Sequence, residues 1–255
     1  MAEGSSGGGG AMDPLQNFEI HPLVEIQLGG LDLSITQPVL WMMIAVAVVF
    51  GVLTFVASTL KRSPKGLQNF IEMTVEFLRK DLVHAVVGEE GKNWFPFIAT
   101  LFLFIATCNL LGLIPGSFTA TSNINVTASL AIMVFVFVQF AGIKKKGLIG
   151  YAKGLVPSGI PKPILVIMIP IEIVSLLVKP FSLAVRLFAN MLAGHMVIYV
   201  FLGMIILFKS VILTPLPFMG VVIMYAFEIF VALIQAYIFA VLTASYLSDA
   251  LHEGH

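Results

Sequence analysis

Long apolar stretches, interrupted at only a few places, dominate the pattern along this chain. The first, Val39 to Leu60, has 22 residues. That is enough to cross a hydrocarbon layer of ~30 Å at ~1.5 Å per residue. Lys61, Arg62, Ser63 and Pro64 end it. Trp94 to Ile114 forms a second span, with Trp94 as an interfacial anchor and Pro96 near its start, where proline is tolerated. The stretch Pro115 to Asn125, with Gly116 and several Ser, Thr and Asn residues, is a loop. Val126 to Ile143 is a third span, stopped by Lys144, Lys145 and Lys146.

The segment between the first two spans has another period. Leu67, Phe70, Ile71, Thr74, Val75, Leu78, Leu82 and Val86 recur at helical spacing, with Glu72, Glu76, Arg79 and Lys80 on the other side. This predicts an amphipathic helix over about 65–88, lying on the membrane surface or packed against a protein partner, which are compatible placements.

The last third is overlong. Pro163 to Phe208 would make a straight helix of ~69 Å, about twice a vertical crossing. After a break at Pro215 and Pro217, the run Leu216 to Ser248 would add ~50 Å. Both must tilt, kink or lie partly along the membrane, with Pro170 and Pro180 as kink sites. The expected fold is therefore an all-α polytopic membrane protein. It has five membrane helices, one interfacial helix, and a long tilted hairpin at its end. One membrane domain covers 38–255, after an N-terminal tail over 1–37 whose first ten residues are rich in Gly and Ser. That tail lacks the basic n-region of a cleaved signal peptide.

Composition narrows the function classes. The chain is 58% hydrophobic and 11% charged, against ~25% charged in soluble domains. A net charge of zero gives no basic field for nucleic acid. The single cysteine, Cys108, excludes an internal disulfide and a cysteine-ligated cluster, and fits a small apolar role inside a helix. No P-loop, nucleotide-binding glycine fingerprint or metal-ligand cluster occurs, so neither cofactor nor metal is expected. The absence of an internal repeat weighs against an inverted-repeat transporter.

Lysine and arginine alternate between loops. Six of the 14 lie between spans one and two and five lie over 144–162. The first 60 residues, the second-to-third loop and the C-terminal tail have none, and Lys209 alone lies between the last two helices. Basic loops stay inside, which puts the N-terminus outside and, after five crossings, the C-terminus inside.

Five ionisable residues nevertheless sit within the last two apolar segments: Glu172, Lys179, Arg186, His195 and Glu228. Such groups cost at least ~2.5 kcal/mol for Arg, Lys or Asp near a helix centre. Glu172, Lys179 and Arg186 are seven apart, as are Ser175 and Ser182, and Asn190 extends the same polar stripe. His195, nine residues after Arg186, points to roughly the opposite side. Glu228 and Gln235 share a face on the next helix, and Tyr246 lies further along. Packing alone accounts for a lone Ser or Asn, and Lys179 can snorkel to the interface. It does not account for Arg186, which keeps its charge and has Glu172, roughly four turns away, as nearest same-helix carboxylate. His195 and Glu228 can form one satisfied pair. Both also titrate, as a proton relay requires.

The stretch Pro180-Phe-Ser-Leu-Ala-Val-Arg-Leu-Phe-Ala-Asn-Met-Leu-Ala-Gly-His195 resembles the signature of ATP synthase subunit a of the mitochondrial and alphaproteobacterial type. Ile171-Glu-Ile-Val-Ser175, Phe227-Glu-Ile-Phe-Val-Ala-Leu-Ile-Gln-Ala-Tyr-Ile-Phe239 and Asn109-Leu-Leu-Gly-Leu-Ile-Pro115 fit the same family in order and spacing. The resemblance covers about residues 15–250. It implies that Arg186 is the stator arginine facing a membrane ring of c subunits, with Gln235 beside it. It implies an outer half-channel at Asn190, His195 and Glu228, and an inner one at Glu172, Ser175 and Tyr246, with Ser182 on the same stripe. His195 and Glu228 are reversed relative to some family members and arranged as in mitochondrial-type ones. Implied partners are the c ring, the b/b′ peripheral stalk, the rest of F1Fo, the lipid bilayer and protons. The implied location is a bacterial inner membrane, with the N-terminus periplasmic and the C-terminus cytoplasmic, or an energy-transducing organellar inner membrane. The implied activity is proton translocation coupled to rotation, with no bond chemistry in this chain. A secondary transporter, a redox subunit and a structural anchor are the rivals. A bis-histidine haem is excluded because only His195 of the five histidines lies inside the membrane.

Overall fold

In hydrocarbon every backbone N–H and C=O must find its partner inside the protein, and a helix satisfies them within one segment. The computed structural model describes residues 22–24, 27–28, 31–32, 34–61, 64–154, 162–208 and 212–252. It has five helices long and apolar enough to cross a membrane, so the chain is an all-α polytopic membrane protein. The glycine-rich stretch at the N-terminus lies outside the described residues.

Before the first span, β1 (Pro22–Val24) pairs antiparallel with β4 (Ile35–Thr36), and β2 (Gln27–Leu28) with β3 (Leu31–Asp32), as nested hairpins. α1 (Gln37–Ser58) follows, with Pro38 in its first turn, where the missing N–H has no helical acceptor in any case. Thr54, Ser58 and Thr59 donate their hydroxyls to carbonyls of their own helix, at 2.7 to 2.8 Å. This hides those groups from lipid.

The interfacial segment begins as α2 (Leu67–Phe77), widens into a π-helix (Leu78–His84), and closes through α3 (Ala85–Val87) and a 3-10 turn (Gly88–Asn93). The wider turn rotates the apolar stripe. Leu78, Leu82, Val83 and Val87 are buried, whereas Phe70 and Met73 of the same segment remain 65% and 62% exposed. One face therefore packs on the protein and the other is exposed. Gln68 ties this segment to the end of α1: Lys61 N–H donates to Gln68 Oε1 and Gln68 Nε2 donates to Lys61 C=O.

α4 (Phe95–Gly112) is pinned to α5 (Ile124–Gly154) by Phe97, stacked on Phe137, and by Trp94, edge-on to the same ring. The helix passes straight through Lys144, Lys145 and Lys146, which the sequence reading took as its end. Lysine is a good helix former, and the break comes at Gly147, with φ 73° and ψ 160°, a conformation glycine adopts without a Cβ penalty. At this end Lys145 donates to Glu90, and that hydrogen bond holds the Glu90 carboxyl below the usual carboxylate range.

α6 (Lys162–Phe208) has 47 residues and α7 (Pro215–His252) has 38, or ~70 Å and ~57 Å of helix. Neither fits upright in ~30 Å of hydrocarbon, so the pair must lean. α6 runs on through Pro170 and Pro180 as one helix, and each proline leaves the carbonyl four residues earlier, at Val166 and Leu176, without its helical donor. α7 occupies the centre. Ala232, Ala236, Ala240 and Ala244 form a fully buried ridge of small side chains at i, i+4 spacing, which lets α4, α5 and α6 pack close to its backbone. Asn109 of α4 donates to the Ala232 carbonyl at 3.1 Å and accepts from Thr121 at 2.7 Å. This buried polar clamp sets the height of α4 against α7.

Candidate proton-path site

Polar contacts between α6 and α7 fall in an antiparallel ladder. Lys179 Nζ meets Asp249 Oδ2 at 3.1 Å, Asn190 Nδ2 donates to Gln235 Oε1 at 2.7 Å, and His195 Nδ1 lies 2.8 Å from Glu228 Oε1. Numbers rise along α6 as they fall along α7. From Lys179 to His195 the ladder climbs ~24 Å of helix, close to the depth of the membrane core.

The rung toward the α4–α5 loop is the most enclosed. Glu228 is 2% exposed, and neither of its carboxyl oxygens accepts a hydrogen bond of good geometry among the described residues. The 2.8 Å approach of His195 is thus an ion-pair contact rather than an aligned bond. A buried carboxyl in that position is costly unless it carries a proton or faces an imidazolium. Backbone makes the room for it: a Cβ on Gly194 would come within 2.3 Å of Glu228 Oε1. Gly194→Ala is therefore expected to push the flexible Glu228 carboxyl away from His195. The His195–Glu228 approach should lengthen while the chain keeps its fold, and a structure of the variant checks this. Next to the pair, a cleft of about 150 Å³ is lined by His195, Thr119, Tyr199, Tyr225, Pro115 and Gly116. It lies at the end of the bundle that carries the start of α1.

The middle rung holds Asn190 and Gln235. Gln235 is 1% exposed, while Asn190 and, one turn earlier, Arg186 are exposed. Arg186 makes no ion pair or hydrogen bond among the described residues. Exposed small residues, Ala189 and Ala193, follow it on α6. Phe181, Phe227 and Phe230 are exposed at 68%, 55% and 60%. The guanidinium thus stands on an exposed face of α6 beside small side chains.

The third rung lies toward the other end. Lys179, instead of snorkelling to the interface alone, pairs with Asp249 and sits 5.4 Å from the Tyr246 ring centroid. A cavity of about 20 Å³, roomy enough for about one water, is lined by Lys179, Tyr246, Asp249, Gln139 and Tyr151.

The geometry thus joins four of the site candidates directly, as Asn190 with Gln235 and His195 with Glu228. Ser182 is half-buried one turn before Arg186. Glu172 and Ser175, also half-buried, lie on the part of α6 that precedes the ladder. Glu172 is ~21 Å below Arg186 along the helix and shares no hydrogen bond or ion pair with the rungs among the described residues. Two groups were missed. Asp249 fell just past the expected end of the last span at Ser248. Thr119, whose hydroxyl contacts His195 Nε2, sits in a loop with no periodic signal.

Comparison with known proteins gives the chain's family. The family model for the ATP synthase A chain matches residues 39–248. ATP synthase subunit a of Magnetococcus marinus is 46% identical over 94% of this chain and 93% of its own. That of Mesorhizobium japonicum is 43% identical over 96% and 98%, and that of Parvibaculum lavamentivorans is 40% identical over the full length of both. Matched from Val39 in the first span to Ser248 in the last, a stretch that holds every residue of the polar ladder except Asp249, the chain belongs to the ATP synthase A-chain family.

Proposed function

We propose that this chain is the proton-translocating stator subunit of an F-type ATP synthase. Its three-rung ladder provides two offset half-channels to a rotating ring of c subunits. The observation that carries this reading is Arg186: a permanent charge in the middle of an apolar helix, exposed, and without an ion pair or hydrogen bond among the described residues. A charge so placed is tolerated where it meets a carboxylate from outside the chain.

Protons enter from the periplasmic side through the cleft at Tyr199 and Tyr225, pass the His195–Glu228 pair, and protonate a rotor carboxylate near Asn190. The neutral carboxyl then turns through lipid. It returns to the Arg186 face from the other side and loses its proton toward the cytoplasm along Glu172, Ser175, Ser182 and Tyr246. Arg186 favours the ionised carboxylate, since an adjacent opposite charge lowers a carboxyl pKa by ~1–3 units. It also keeps an unbound proton from crossing directly between the half-channels. Each proton releases ~2.3 kcal/mol per 100 mV, which the ring delivers as rotation. The chain itself makes and breaks no bonds, and it docks to the b/b′ stalk as part of the stator. The N-terminus lies in the periplasm and the C-terminus in the cytoplasm of a bacterial inner membrane.

A cysteine at Ala189, on the Arg186 surface, should cross-link under mild oxidation to cysteines placed on the outer helix of the c subunit. A cysteine at Val46, 54% exposed on α1, should not. The native Cys108, 3% exposed, supplies little background. Absence of cross-links from Ala189→Cys in assembled complex, at every c-subunit position tried, would remove the ring from this face.

A further inference from the structure

Thr119 touches two groups at once. Its hydroxyl donates to the Gly112 carbonyl at 3.1 Å, one of the carbonyls at the end of α4 that no helical N–H reaches. The same oxygen contacts His195 Nε2. The first contact is buried and the second partly so: Thr119 is 4% exposed, and a Cβ on Gly112 would come within 2.2 Å of its oxygen. The glycine is what allows the loop to approach this closely. The titratable groups around the imidazole are Glu228 and Tyr225 on α7 and Tyr199 on α6.

A hydroxyl has one proton, and a carbonyl can only accept. With its proton given to Gly112, Thr119 presents a lone pair to His195. Nε2 must then carry hydrogen, and in the neutral ring the bare nitrogen is Nδ1, which faces Glu228 Oε1 at 2.8 Å. Building on the outer half-channel described above, we propose that Thr119 is a positioning residue. It locks His195 in the Nε2–H tautomer, so that the proton passed along the path is always the one between Nδ1 and Glu228. In one state Nδ1 holds it, as imidazolium beside carboxylate. In the other Glu228 holds it, as carboxylic acid beside neutral imidazole. The Nε2 proton takes no part.

The test uses the purified whole complex with histidine labelled by ¹⁵N in the ring. The His195 signals are assigned by their loss in His195→Gln and read at a pH where the ring is neutral. Wild type and Thr119→Ser should show the Nε2–H tautomer with a bare, pyridine-like Nδ1. Thr119→Val, of the same shape but without the hydroxyl, should show a mixture, with ATP-driven pumping lowered about tenfold, the scale of one hydrogen bond, and Thr119→Ser should restore both. An Nδ1–H tautomer in wild type would overturn the assignment, and so would a Thr119→Val complex with an unchanged tautomer, whether or not it pumps. If Thr119→Val fails to assemble, the wild-type and serine spectra still decide. Normal pumping by Glu228→Gln would instead overturn the half-channel reading and leave the tautomer result standing.

Discussion

Arg186→Ala is expected to abolish ATP-driven proton pumping in vesicles that contain the assembled complex, by roughly two orders of magnitude or more. That is the scale on which removal of one preorganised charge acts in a water-poor site. Stability should change little, because Arg186 is exposed and is tied to no described residue by ion pair or hydrogen bond. The two parts of that expectation separate a functional charge from a packing charge. A buried structural ion pair loses ~3–5 kcal/mol when one partner is removed, and the complex would then come apart. A second readout sharpens the result. Vesicles stripped of the catalytic sector should become passively leaky to protons in Arg186→Ala, since nothing then separates the half-channels. Arg186→Lys keeps the charge but loses the planar fork that meets a carboxylate on two bonds, and should retain the barrier better than the drive. Normal coupled pumping by Arg186→Ala would remove Arg186 from the stator mechanism and require the barrier between the half-channels to be placed elsewhere.

Arg186 was legible in the sequence because hydrocarbon makes a permanent charge conspicuous. The five spans were legible for a related reason, since bilayer thickness sets a minimum length that few other structures imitate. Features that depend on less than a full span were not legible. The hairpins over 22–36 have strands of two or three residues, too short to show alternation. Phe70 and Leu82 belong to one apolar series on paper, but twelve residues set them ~120° apart on a regular α-helix, and only Leu82 is buried. Lys144 to Lys146 looked like an end because charge marks the interface, but charge does not unwind a helix, and Gly147 does. The same distinction applies to the site. The sevenfold spacing of Glu172, Lys179 and Arg186 showed which side of α6 is polar. It held no information about register against α7, which shows only in the cross-helix contacts Lys179–Asp249, Asn190–Gln235 and His195–Glu228 and in the close packing on the alanine ridge. Thr119 reaches His195 only because Gly112 has no side chain, a condition created by tertiary packing.

The pairing of His195 with Glu228 leads to the other large effect. His195→Glu alone puts two carboxyls where an imidazole and a carboxyl stood at 2.8 Å. Like charges so close cannot both ionise, and one proton is then held too tightly to move on. Glu228→His alone leaves two imidazoles in a 2%-exposed site, where a second positive charge has no counter-ion within the pair. Each single change is expected to lower ATP-driven pumping by roughly 10²-fold, the range that a positioned acid or base contributes. The exchange double variant, with glutamate at 195 and histidine at 228, restores one acid beside one base and should recover pumping to within about tenfold of wild type, one hydrogen bond short. Full recovery is not expected. Gly194 leaves space for a carboxyl arm and not for a ring, and a glutamate at 195 can donate to Thr119 only while it is itself protonated. Pumping assayed by dye quenching across the four genotypes measures the coupling as a double-mutant cycle. A double variant as inactive as the product of the singles would mean that the two residues act separately, and the relay would have to be placed elsewhere on the ladder.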